Sequence, residues 1–300
     1  MRGWIFAPAA LLLATACSAS DPQSATGADS NSGGVAVGPM SRVMSADDYR
    51  PSLFDADSAD VDNRWYPLRP GARLVYRGSS LEDGERVSHT VVAVVTDLTK
   101  VIDGVSNAVV WERDFLDGEL VEAELAMFAQ DRYGNVWHMG EYPEEYEEGE
   151  LDKAPAWIHG IKGASAGVTI PGLPTLGTPD YAQGYAPPPI NWVDRGRVHE
   201  TGATTCVPDG CYDDVVVIAE FETGVPHAFQ DKYYAVGVGV VRVGWRGSKD
   251  DSKEVLRLVS MTHLSPERLS ASSATVLRLE ARAYRTSAVY ALTVPSEQRE

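Results

Sequence analysis

From residue 72 onward the chain alternates apolar and polar residues in short runs broken by turn residues. Runs at 72–77, 86–102, 106–115, 120–130 and 136–139 carry the period of two that a half-buried strand requires. In the second run His89, Val91, Ala93 and Val95 share one side. Pro70-Gly71 precedes the first run, and Asp103-Gly104, Asp117-Gly118 and Gly134-Asn135 punctuate the rest. Gly, Asp and Asn tolerate the positive φ of a hairpin turn. Consecutive short strands with such turns predict an antiparallel meander, not alternating strands and helices. Strand signals return at 214–222, 228–234, 236–245 and 253–262.

Three regions break this pattern. Residues 141–152 hold seven acids and no base, which reads as a solvated hairpin tip or loop. Residues 153–200 are rich in Gly and Pro, with Trp157, Tyr181, Tyr185 and Trp192 interleaved. Aromatics at this density predict an ordered excursion laid across the sheet. Ser265-Pro266-Glu267 is a helix start: an N-cap, a proline at the first helical position, and an acid in the first turn. A helix over about 266–285 puts Leu269, Val276, Leu279 and Ala283 roughly on one face, although Ser270, Ser272 and Ser273 interrupt it. The expected fold is mainly β, an antiparallel curved sheet or partly closed barrel with a C-terminal helix.

The N-terminus follows other rules. After Arg2, residues 4–16 form an apolar run of secretory-signal length, too short for the ~20 residues of a spanning helix. It ends Leu13-Ala14-Thr15-Ala16-Cys17, close to a lipobox. The expected organisation is a lipoprotein signal peptide at 1–16, a low-complexity flexible tether at 17–46, and one β-rich domain at 47–300. Lipid on Cys17 would anchor the protein to a bacterial membrane on its extracytoplasmic side. Ordinary secretory cleavage after Ala16 is the alternative.

The 300-residue chain is 44% apolar, enough for a real core, and carries a net charge of −17. That charge excludes nucleic acid as a partner, since polyanions reward clusters of Lys and Arg. Besides Cys17 there are Cys206 and Cys211, flanking the turn Val207-Pro208-Asp209-Gly210. An even remainder in an oxidising compartment predicts one disulfide across a hairpin.

Three stretches together look like a family of bacterial exported proteins, many of them lipoproteins, with no assigned activity. They are Asn63-Arg64-Trp65-Tyr66-Pro67-Leu68-Arg69-Pro70-Gly71, Ala129-Gln130-Asp131-Arg132-Tyr133-Gly134-Asn135-Val136-Trp137, and Lys232-Tyr233-Tyr234-Ala235-Val236-Gly237-Val238-Gly239. Members typically show Tyr-Phe-Pro-Leu for Trp65-Tyr66-Pro67-Leu68, Pro for Val236, and Tyr for His138. The resemblance spans about residues 60–262. It implies a β-rich exported body and no particular chemistry.

Candidate chemistry is sparse. The six histidines form no His-x-His or His-Glu-x-x-His pattern, and no calcium loop, Walker loop or Gly-x-Ser-x-Gly elbow occurs, so no catalytic residue, metal site or cofactor is expected. Glu122 and Glu124 share one side of a strand, opposite the more uniformly apolar Val121, Ala123, Leu125 and Met127. Alternation therefore places the two glutamates outside. In residues 131–141, Asp131 and Asn135 read as turn caps around Gly134. The leading expectation is an envelope lipoprotein that binds a ligand or partner without catalysis. Trp157, Tyr181, Tyr185 and Trp192 are the candidates to line a cleft for a hydrophobic small molecule or glycan, while aromatics at this density are first expected simply to close the open face of the sheet. The alternative is a hydrolase built on Asp62, Glu122, Asp131 and Glu141, with or without a divalent cation.

Overall fold

The computed structural model describes residues 48–299; the leader, the tether and Cys17 lie outside the described residues. Five long strands run in sequence: β1 (Ala72–Glu82), β2 (Glu85–Ile102), β3 (Val105–Leu116), β4 (Glu119–Gln130) and β5 (Val136–Glu147). Five short ones follow: β6 (Glu150–Lys153), β7 (Trp157–Ile158), β8 (Ser165–Ile170), β9 (Tyr181–Ala182) and β10 (Gly184–Tyr185). Then come β11 (Asp194–Val207), β12 (Gly210–Glu222), β13 (Phe229–Ala235), β14 (Gly239–Arg246), β15 (Val255–His263), helix α1 (Pro266–Thr286) and β16 (Glu297–Gln298). Neighbouring strands pair antiparallel, in the order β10-β8-β5-β4-β3-β2-β1-β15-β14-β13-β12-β11-β9. The expected barrel with a C-terminal helix is what forms.

Local chemistry explains the hairpins. Asp103-Gly104 and Asp117-Gly118 both take positive φ at each residue, the geometry that suits two-residue connections between twisted strands. Asp131 caps the β4–β5 turn: its carboxylate accepts from the Tyr133 and Asn135 amides, from the Asn135 side chain and from the Trp137 indole. Cys206 stands opposite Cys211 across the β11–β12 turn and is disulfide-bonded to it.

The two ends of the sheet order are neighbours in the chain. Tyr181 and Ala182 pair with β11, and Gly184 and Tyr185 pair with β8, so one five-residue segment nearly closes the barrel. Close backbone approach makes the seam depend on small residues. A Cβ on Gly167 would lie 2.1 Å from the Gly184 nitrogen, and one on Gly196 would lie 2.7 Å from the Tyr181 ring. The stretch read as an excursion across the sheet, 153–200, instead contributes wall strands β8 and the start of β11, with the closing segment 181–185 between them.

Two apolar layers result. Tyr66, from the segment before β1, packs between Phe128 of β4 and Tyr234 of β13 within the lumen. The second layer lies outside the wall. Val276, Leu279 and Ala283 of α1 are buried, and Tyr142 of β5 touches Tyr290 and Thr286. Residues 141–152 are a hairpin, β5 into β6, but not a solvated one throughout. Glu141, Glu144 and Glu145 are buried, because β5 continues as a wall strand past Gly140.

Candidate functional site

Around Tyr66 the lumen is lined by ionisable groups. Glu112 and Asp114 of β3 stand opposite Glu124 and Glu122 of β4, and Glu122 stands opposite Glu145 of β5. Lys232 of β13 acts on Glu112, although five steps of strand order separate β3 from β13. Along a flat sheet that is ~24 Å; curvature brings the two walls face to face. Glu122 and Glu124 therefore look inward, contrary to the expectation from alternation. The apolar Ala123, Leu125 and Met127 are buried as expected, but against the outer layer beneath α1.

Burial without balancing charge dominates the electrostatics. Burial, then mutual repulsion, pushes Glu122, Glu124 and Glu141 well above the usual carboxylate range, and Glu112 to about 7. Asp194, at the start of β11, is also raised to about 7, chiefly by burial. Lys232 is the cation acting on Glu112 and Glu124, but its ammonium is already 2.7 Å from Glu220, which also accepts from Gln183. His89 of β2 is held between Glu254 at 2.9 Å and Asp114 at 3.3 Å.

One cluster stands out within this wall. Glu124, His138 and Glu141 each offer a ligand atom, all within 4.8 Å of one another. His138 Nε2 lies 3.6 Å from Glu141 Oε2, close to the ~3.4 Å edge of a tetrahedron with 2.0–2.1 Å metal bonds. That nitrogen is buried and has no hydrogen-bond partner. A hydrogen bond to the Gly140 backbone engages the ring, the second-sphere arrangement common to metal-ligating histidines. Burial pushes the imidazole down to about 3, leaving it neutral with a free lone pair. The ring stacks on Phe128 at 4.8 Å, with Trp157 and Trp192 edge-on at 5.0 and 5.8 Å. Two carboxylates and a neutral imidazole form a donor set that fits a divalent cation. The expectation of no metal site rested on the lack of closely spaced histidines; here the ligands come from two adjacent strands.

The aromatic residues expected to line a cleft are divided. Trp157 and Trp192 pack together, 5.6 Å apart, and wall the His138 cluster. Tyr181 is buried beneath the closing seam, and Tyr185 points out to solvent. Of the four carboxylates considered for hydrolysis, only Glu122 and Glu141 face the lumen. Asp62 accepts from Gln130, and Asp131 is occupied as a turn cap; both border a separate surface pocket at the far end of β4. Sequence reading missed Glu112, His138 and Lys232 as lumen residues and placed Glu124, with Glu122, on the outside. The available signal was the spacing of Glu112-x-Asp114 and Glu122-x-Glu124 on two strands of one hairpin, where like charges face each other at a cost.

No family model matches the chain, and no curated protein matches it. Two solved structures are similar. One is a protein described as exported, with a YmcC-like fold, from Bacteroides fragilis NCTC 9343: 13% identity, 67% of this chain and 99% of that chain covered, TM-score 0.39. The other is a protein described as a lipoprotein from Parabacteroides distasonis ATCC 8503: 11% identity, the same coverage, TM-score 0.35. Likeness at this level carries no statement about ligand or activity here.

Proposed function

We propose that the chain is an exported, lipid-anchored binding protein whose barrel takes a positively charged ligand into its acidic lumen without catalysis, with a divalent cation held by Glu124, His138 and Glu141. The unpartnered His138 Nε2, aimed at two crowded carboxylates, carries this reading. Without a cation the carboxylates must take up protons; with one, their repulsion becomes attraction. An apolar ligand fits less well, because it would strip water from these carboxylates without replacing its hydrogen bonds.

Calorimetric titration and thermal melts test the reading. The chelator-treated full chain is titrated with zinc, manganese, calcium or spermidine at 0.15 M salt. Saturable binding of at least one metal is expected, raising the melting temperature by mass action, about 2.7 kcal/mol at a hundredfold excess over Kd. Glu124→Gln or His138→Ala should weaken binding at least tenfold. Spermidine binding without metal binding would remove the metal assignment and keep the cation-binding reading. No binding of any of the four would end both.

A further inference from the structure

The outer wall carries a site of opposite sign. Between the first half of α1 and the outer faces of β1–β3 lies a pocket of about 320 Å³, lined by Arg73, Trp111, Arg113, Arg268 and Ser272 among others. It has three arginines and no acid. In a chain of net charge −17, that is the reverse of what composition supplies. Among the described residues, none of the three guanidinium groups forms an ion pair. Arg113 lies over the Trp111 ring at 4.0 Å. The Arg113 Nε and the Trp111 indole nitrogen are both buried donors without an acceptor. Ser272 is half-buried and its hydroxyl makes no hydrogen bond.

Each of these features costs stability in the empty protein. Unmatched guanidinium groups repel one another, and a buried N–H without an acceptor forfeits its hydration. One ligand would answer the unmatched charge: an anion with several oxygens, each able to accept more than one hydrogen bond. Arginine's planar fork suits phosphoryl oxygens. The pocket is larger than a bare phosphate, and the Trp111 face offers a flat apolar wall to whatever the phosphate carries.

We propose that this pocket binds a phosphate ester, with Arg73, Arg113 and Arg268 on the phosphoryl group and Trp111 beside its organic part. The site is independent of the lumen and stands whether or not a cation binds there. A soluble sugar phosphate and a phospholipid headgroup share this chemistry, and the test separates them.

The full chain is titrated calorimetrically with inorganic phosphate, glucose 6-phosphate and glucose at 0.15 M sodium chloride. It is also sedimented with phosphatidylcholine vesicles, with and without one quarter phosphatidylglycerol. Arg73→Gln and Arg113→Gln are compared throughout, so that any contribution of the N-terminal leader to sedimentation is common to all samples. Saturable binding of glucose 6-phosphate, absent for glucose and weakened at least tenfold by either variant, is the expected result. Arginine-dependent sedimentation with phosphatidylglycerol vesicles alone would assign the ester to a lipid. Melting curves without ligand should show both variants folded and no less stable than the parent, because each removes unrelieved repulsion. Absence of binding in every arm, binding insensitive to both arginine variants, or a marked loss of stability in both would overturn the proposal.

Discussion

His89 shows how a single residue responds to this lumen. Burial alone would push its imidazole down, but hydrogen bonds and charge from Asp114 and Glu254 overcome that and raise it to about 10. A group raised above its unfolded value of 6.5 contributes stability that is complete below pH 6.5 and lost as pH climbs through about 10. The melting temperature should therefore fall between pH 7 and pH 10.5, and His89→Gln should flatten that fall. Parallel profiles for parent and variant would show that the imidazolium contributes nothing. His138, three strands away on β5, has no carboxylate within hydrogen-bonding distance and moves the other way. The same side chain thus takes opposite charge states within one lumen, decided by partners that two different strands supply.

At the scale of elements, α1 is held by polar contacts as much as by its apolar stripe. Lys100 of β2 is fully buried, and its ammonium meets Glu280 at 2.7 Å, the Val294 carbonyl and the Tyr284 hydroxyl. Glu280 also accepts from Tyr290 and from the amide and hydroxyl of Ser296, so one carboxylate ties helix, tail and wall together. Ser273, which interrupts the helical pattern in the sequence, faces β2 and donates to Asp97. Breaking the buried pair leaves a buried ammonium without its counter-charge. Glu280→Leu should cost about 3–5 kcal/mol in chemical denaturation, and adding Lys100→Met should recover part of the loss because no lone charge remains. A double variant as unstable as Glu280→Leu would refute this account.

At the scale of the whole molecule, the barrel separates two chemistries by its wall: an acidic lumen and an outer apolar layer covered by α1. Among the described residues no helix is long and apolar enough to cross a membrane; the attachment proposed above is through lipid on Cys17. In the native host, Cys17→Ser should move the protein from the membrane fraction to the soluble one or leave the leader uncut. Unchanged processing and fractionation would refute the lipid anchor.

The first four strands, the later ones from residue 214, the hairpin turns, the disulfide and the helix were legible in the sequence, because each depends on neighbours a few residues away; β8 and β11 were not, since they fall in the Gly- and Pro-rich stretch and beside it, and the second half of β5 was hidden by its acids. Asp103-Gly104 can turn only a few ways, Cys206 and Cys211 flank one tight turn, and Ser265-Pro266 starts a helix wherever it stands. The facing of β4 was not legible, for a specific reason. The Asp117-Gly118 turn by itself would set Glu112 opposite Ala123, but a bulge between Asp114 and Phe115 shifts the register and sets Glu112 opposite Glu124. A one-residue shift exchanges the two faces of a strand. Alternation correctly identified which face of β4 is apolar, and could not say that a helix some 150 residues later would cover that face from outside. With the apolar side committed to α1, the acids were left to line the lumen, and the Glu124–His138–Glu141 cluster exists only through that choice.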